Sequence, residues 1–440
     1  MTTLPRPEDL ARAVQALRPW MIDTLSELVA APSPSGAEQP AVDVFERQLR
    51  ALGLNPERIR LDSRQLQDLP LFSCPCDPDG GRDNLLARHL PPGHDDDTAA
   101  PRARSVLFNG HLDVVPTGPA ELWQHPPFAP RVQDGWLYGR GAGDMKGGLV
   151  CALTAFKALA ELGWQPAGIV GFNAVVDEEN TGNGTLATVH ALQQALAKAR
   201  LTDFDAVIIP EPFGETLMSA QVGVLWMQVH LTGRPAHVGY MSTGLNPIEA
   251  GYALFQSLRE LQHAWNAPAA RHPAFADVAQ PININLGRIE GGEWTSSVPC
   301  SCTLHLRVGF YPGQDPAAVR AAVEAHLRAA AQALNPDLGL RFERQGFQAP
   351  GCTYDLSVPA LRTLASAHEA VHGQAPQTLA CTATTDGRHF ALATDLPVTN
   401  YGPTARAIHG LDEAVDLASM GRVATVMARY LQDWCGLVPR

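Results

Sequence analysis

Two glycine-rich segments constrain this chain more than anything else in it: NGHLDVVPTG over 109–118 and LYGRGAGDMKGG over 137–148. Ser105-Val-Leu-Phe108 reads as a short buried strand that delivers His111 and Asp113 to its C-terminal end, where open α/β sheets place their ligands. Residues two apart share a face of an extended segment, so Asp113 is expected to accept the second ring N–H of His111 and fix its tautomer. Farther on, Gly139, Gly141 and Gly143 let the backbone turn tightly around Asp144, just before a helix that begins near Gly147. A histidine and an aspartate, each carried on a loop, make half a metal site.

The pattern after Gly148 alternates. Leu149 to Leu162 is an apolar helix, Gly168 to Val176 a buried strand ending in Asp177-Glu178-Glu179, Gly182 to Arg200 a helix, and Ala206 to Pro210 a strand ending in Glu211. Strand ends that carry acids between helices suit a doubly wound α/β sheet, mostly parallel. Upstream lie a helix from Leu10 to Ala31 interrupted at Pro19, a helix from Glu38 to Leu52, and a loop-rich insertion over 64–104 with one strand at Asn84 to Arg88. Within that insertion, His94 to Asp97 reads as a solvated acidic loop.

From Gly223 the order becomes β-α-β-β-α-β: Val222 to Thr232, Asn246 to Trp265, Ile282 to Arg288, Cys300 to Val308, Asp315 to Leu334 and Leu338 to Glu343. That is the order of a ferredoxin-like unit. The expected division is therefore a discontinuous catalytic domain, 1–222 and 346–440, and an inserted lid or dimerisation domain, 223–345. Two domains also suit 440 residues. The chain then returns through a helix from Val358 to Val371, an edge strand at Leu396 to Thr399 that Pro397 confines to the sheet margin, and a final helix from Glu413 to Trp434.

A net charge of −12 argues against nucleic acid or an anionic membrane as partner. No long uncharged apolar run and no basic-then-apolar leader is visible, so a cytoplasmic location is expected. Eight scattered cysteines fit reduced thiols better than structural zinc, since the two C-x-C pairs lack the usual ligand spacing.

His111, Asp144, Glu179, Glu211 and His409 offer imidazole and carboxylate without thiolate, which suits zinc or a similar divalent ion. Five ligands exceed one tetrahedral ion but serve two if a carboxylate bridges; Asp144, short and tightly looped, is the choice. Two cations sharing a water lower its pKa toward about 7 and polarise a carbonyl. Glu178, beside a ligand and not needed as one, is the candidate general base and later the acid for the leaving amine.

With these motifs in view, the chain resembles the M20 family of dinuclear zinc hydrolases, most of all its acetylornithine deacetylase and succinyl-diaminopimelate desuccinylase branch. The resemblance rests on GHLDVVPTG, GRGAGDMKGG, DEENTG, the PEP containing Glu211 and the HGLDE opened by His409. It implies two divalent ions, zinc foremost with cobalt or manganese as alternatives. Asp144 would bridge them, with His111 and Glu211 on one ion and Glu179 and His409 on the other. It further implies Glu178 as proton shuttle, Asp113 as orienter, and a homodimer through the lid. Gly233-Arg-Pro-Ala-His237 resembles the lid motif whose histidine reaches the partner's site. Ser296 stands where the family often has Asn, and Arg307 lies two residues before Gly309, where it often has Arg. Thr384-Thr-Asp-Gly-Arg388 resembles a carboxylate-holding loop, with Thr382-Ala383 replacing the usual Gly-Gly.

The family often has Glu at the Glu211 position in deacylases and Asp in peptidases. The expected activity is therefore hydrolysis of an N-acyl amide (acetyl, succinyl or formyl) of a small amino acid or amine. A dipeptidase or carboxypeptidase is the nearest alternative, and a catalytically silent binding protein the one from another class. The chain keeps all six metal and base candidates, which disfavours the silent protein.

Overall fold

The computed structural model describes residues 4–92, 103–197 and 204–440, so His94 to Asp97 lies outside the described residues. Alternation of side chains builds its central sheet. In the strand Val106–His111, Val106 and Phe108 enter one apolar core while Leu107 enters another on the opposite face. The strand order is Glu57–Arg60, Asp83–His89, Val170–Val175, Val106–His111, Val207–Ile209 and Val398–Asn400. The last four are parallel; the first two run antiparallel. The sheet is thus mixed.

Helices cover both faces. Gly148–Glu161 and Leu417–Cys435 pack with Val106 and Phe108, while Val189 of Asn183–Ala197 and Phe390 of Gly387–Ala393 pack with Leu107, Val207 and Ile209. The interrupted N-terminal helix resolves into Pro7–Ala16 and Arg18–Ala30, because Pro19 can sit in a first helical turn, where its missing N–H is not needed.

A second, four-stranded sheet runs in the order Ile284–Gly291, Ser301–Phe310, Gly223–Thr232, Gly339–Ala349, all neighbours antiparallel. Pro247–Asn266 and Pro316–Leu334 close its core through Leu254, Leu258, Val323 and Leu327, which meet Val229, Leu304 and Leu306. The last strand runs six residues beyond the expected Glu343 and carries the chain back toward the central sheet. Pro397 does restrict its segment to the margin, where Val398–Asn400 forms the sheet edge.

Three features differ from expectation because their strands are too short to show a period. Arg131–Gln133, Trp136–Tyr138, Ala405–Arg406 and Ala414–Asp416 form a small sheet; the last replaces the first turn expected of the final helix. Leu217–Gln221 pairs with Cys352–Thr353 and Thr378–Cys381. No helix among the described residues is long and apolar enough to cross a membrane.

Candidate metal centre

Strand ends converge on Asp144. His111 closes Val106–His111, Glu178 and Glu179 follow Val170–Val175, and Glu211 follows Val207–Ile209. The backbone reaches Asp144 through Gly141, whose φ of 81° lies in the left-handed region open to glycine. Gly148 lets the following helix approach the Glu211 strand so closely that a Cβ there would lie 1.8 Å from the Pro210 carbonyl oxygen.

Ligand atoms of His111, Asp144 and Glu211 lie within 4.8 Å of one another, and so do those of Asp144, Glu179 and His409. Asp144 belongs to both groups. Its Oδ1 is 3.1 Å from His111 Nε2, and its Oδ2 is 3.2 Å from His409 Nε2, which is itself 3.2 Å from Glu179 Oε2. His409, with φ 61°, is a non-glycine residue in the left-handed region, conformational strain of the sort that clusters at functional sites.

The His111 ring is anchored differently from expectation. Nδ1–H donates to the Asp113 backbone carbonyl at 2.8 Å, while the Asp113 carboxylate stands 3.8 Å away. That carboxylate is occupied: it accepts the backbone N–H groups of Glu178 and Glu179 at 3.1 and 3.0 Å. Asp113 therefore orients the ring through its carbonyl and the two glutamates through its side chain.

Electrostatics test whether cations fit. Burial first, then the charge of Asp386 for Glu178 and of Asp144 for Glu179 and Glu211, push these three carboxyls above their ordinary range. Burial works against charge on His409, yet its hydrogen bonds to Asp144 and Glu179 outweigh that and hold it up at about 11. Glu178 Oε1 and Glu179 Oε1 are buried without a hydrogen-bond partner. A desolvated pocket in which the carboxylates of Asp144, Glu178, Glu179 and Glu211 gather around the imidazoles of His111 and His409, with orphaned oxygens, is rich in negative charge, and the oxygen and nitrogen donors suit divalent cations.

Glu413 escaped the sequence reading. Its Oε1 accepts the N–H groups of Gly141, Gly143 and Asp144 at 3.1, 3.0 and 3.0 Å, and its other oxygen pairs with buried Arg140. The only signal was its place at the end of HGLDE. Asp386, fully buried and held by Thr185 Oγ1 at 2.7 Å, was likewise unsingled.

A cavity of about 710 Å³ opens beside the centre, lined by Glu178, Glu179 and His409 and, from the second sheet, by Trp226, Arg288, His305 and Arg307. Of the residues expected to bind substrate, Arg307 and Thr384 line it. Arg388 does not: fully buried, it donates to the carbonyls of Thr181 and Thr385 at 2.9 and 2.8 Å and braces the loop after Glu179. His237 and Ser296 also lie outside this cavity and are exposed: His237 ends the strand Ala236–His237 that pairs with Ser297–Val298, and Ser296 precedes that partner, its carbonyl accepting from Val238 N–H.

Residues 107–433 match the profile of Peptidase family M20/M25/M40. Among solved structures the chain is similar to the di-peptidase Dug1p of Saccharomyces cerevisiae, at 17% identity over 99% of both chains with a TM-score of 0.79. It is also similar to human carnosine dipeptidase 1, at 18% identity over 98% of this chain and 99% of that one, TM-score 0.76. A third likeness is to the Bacillus subtilis YXEP protein, a dinuclear metal binding peptidase, at 15% identity over 96% and 99% with a TM-score of 0.57. At such identities these three likenesses establish the fold.

Proposed function

The chain belongs to Peptidase family M20/M25/M40, and from that premise we propose that it is a hydrolase of small amides that works with two divalent cations, zinc foremost and cobalt or manganese as alternatives. The observation that carries this reading is the sharing of Asp144 between two ligand groups, His111 with Glu211 and Glu179 with His409. Bound there, a pair of cations supplies water activation near neutral pH and polarisation of the amide carbonyl.

The remaining work falls to the protein. Glu178, with a buried oxygen free of partners in the cavity wall, takes the proton of the attacking water and returns it to the leaving amine. The Asp113 carbonyl keeps His111 Nε2 turned toward Asp144. Glu413 holds the loop that presents Asp144. The cavity volume falls in the small-molecule range, which supports a small substrate.

Within this class the finer reading is removal of an acetyl, succinyl or formyl group from a small amino acid or amine, which the family resemblance at Glu211 favours. Cleavage of dipeptides is the second reading, favoured by whole-length likeness to two dipeptidases. The division into 1–222 with 346–440 and an inserted 223–345 belongs to the same proposal and is supported by the separate cores of the two sheets. So does a homodimer through the inserted 223–345 unit, where Tyr240, Met241 and Trp294, outside its four-stranded sheet, expose large apolar surfaces. A cytoplasmic setting is supported by eight unpaired cysteines.

The test is a panel of acetyl-, succinyl- and formyl-amines alongside dipeptides, assayed with metal-loaded protein. Cleavage of an acyl substrate supports the first reading; cleavage of dipeptides alone selects the second; no cleavage of either class overturns the proposal.

A further inference from the structure

The loop at 73–77, within the insertion whose purpose the sequence left open, joins the two sheets beside the metal centre. Ser73 N–H donates to Asn183 Oδ1 at 3.1 Å, and Asn183 Nδ2 returns a bond to the Ser73 carbonyl at 2.9 Å. On its other side, Gly346 N–H donates to the Cys74 carbonyl and Gln348 N–H to Ser73 Oγ, both at 3.0 Å. The loop is therefore pinned both to the helix Asn183–Ala197 and to the returning strand Gly339–Ala349. Three residues past Cys74 it sets Asp77 in the wall of the cavity, together with Glu178 and Glu179.

Asp77 is built into that wall. Its Oδ2 accepts from the Asn180 side-chain amide at 3.0 Å, and Asn180 directly follows Glu179. Gly36, with φ 87°, backs it so closely that a Cβ there would stand 3.2 Å from Asp77 Cγ. Yet this half-buried carboxylate forms no ion pair among the described residues. Across the same cavity Arg307 likewise forms none and donates only to the Thr382 carbonyl. Besides the glutamates of the metal centre, the cavity thus holds a fixed acid, Asp77, and a fixed base, Arg307, neither in an ion pair among the described residues, and the two complement a substrate bearing both an ammonium and a carboxylate.

We propose that Asp77 is a specificity-determining residue that binds a primary ammonium group of the substrate. The inference rests on the amide-hydrolase reading and narrows it, from any N-acyl amide to one that also carries a free amine. That amine can sit on the acyl side, as in a dipeptide, or on the far side, as in an N-acylated diamino acid. Asp77 acts by binding alone, so removing its charge raises KM more than it lowers kcat.

The experiment compares two substrate pairs that differ only in the amine: glycyl-leucine with acetyl-leucine, and Nα-acetylornithine with Nα-acetylnorvaline. Wild-type protein, Asp77→Asn and Asp77→Glu are assayed, each loaded with metal. Asp77→Asn keeps an acceptor for Asn180 and loses the charge. The expected result is a wild-type preference for the amine-bearing member of one pair, reduced about ten- to a hundredfold in Asp77→Asn through KM, the size of a lost charged hydrogen bond. Asp77→Glu restores most of the preference. Which pair responds identifies the side that carries the amine. Equal losses on both members of each pair, or an unchanged preference, overturn the inference while leaving amide hydrolysis intact; no turnover of all four substrates overturns both.

Discussion

At the scale of single residues, the centre depends on side chains that never touch a ligand. Glu413 gathers three backbone N–H groups of the 141–144 loop on one oxygen. In Glu413→Gln the chain should fold, as judged by circular dichroism, but hold metal about 10- to 100-fold more weakly in a chelator competition, the usual cost of losing an outer support. Unchanged affinity would mean that the loop keeps its shape without the charge. Four of the five candidate ligands were legible because they stand at a strand end or inside a glycine-rich turn, whereas His409 was picked out by the HGLDE motif it opens. Glu413 was not, because its bonds reach back about 270 residues and leave no local spacing to read. The His111–Asp113 pairing shows the same limit: period two correctly put both residues together, but could not tell a carbonyl from a carboxylate as the acceptor.

At the scale of elements, two contacts set how the site is held. The helix Gly148–Glu161 abuts the Pro210 carbonyl without room for a methyl group. Gly148→Ala should therefore push the Glu211 loop away, lowering both metal affinity and thermal stability; a variant that matches wild type in titration and melting would contradict this packing.

Elsewhere, the helix Pro359–His372 stacks His368 on His372 at 3.9 Å between ring centres, beneath Tyr401 and beside Glu215, which pairs with His372 and Arg422. Burial first, then the His372 charge, lower the His368 pKa to about 4. Unfolded, the ring titrates near its ordinary value of about 6.5. Between these values the unfolded chain binds the extra proton, so stability present above pH about 6.5 declines as pH falls toward about 4. His368→Gln should flatten that part of the melting-temperature profile, and an unaltered slope would place the dependence on other groups. Long helices and strands with clear periods, such as Gly223–Thr232, were legible in sequence; the three-residue strands of the small sheets were not, since three residues cannot display a period.

At the scale of the whole molecule, a mixed sheet flanked by helices presents His111, Glu179 and Glu211 at neighbouring strand ends, and the 137–148 and 405–416 segments fold over them to add Asp144 and His409. The second sheet contributes the facing wall of the cavity. The order of its elements was legible because each is long enough to show its period. The brace that the 73–77 loop adds between the two sheets was not, because its hydrogen bonds go to partners more than a hundred residues away. Metal counting in purified wild-type protein and in Glu178→Ala bears most directly on a centre built around one shared carboxylate. About two ions per chain in both proteins, with turnover lost only in the variant, is the expected result. A single ion in wild type, or loss of metal from Glu178→Ala, would contradict the shared Asp144 or the proton-shuttle role of Glu178 respectively.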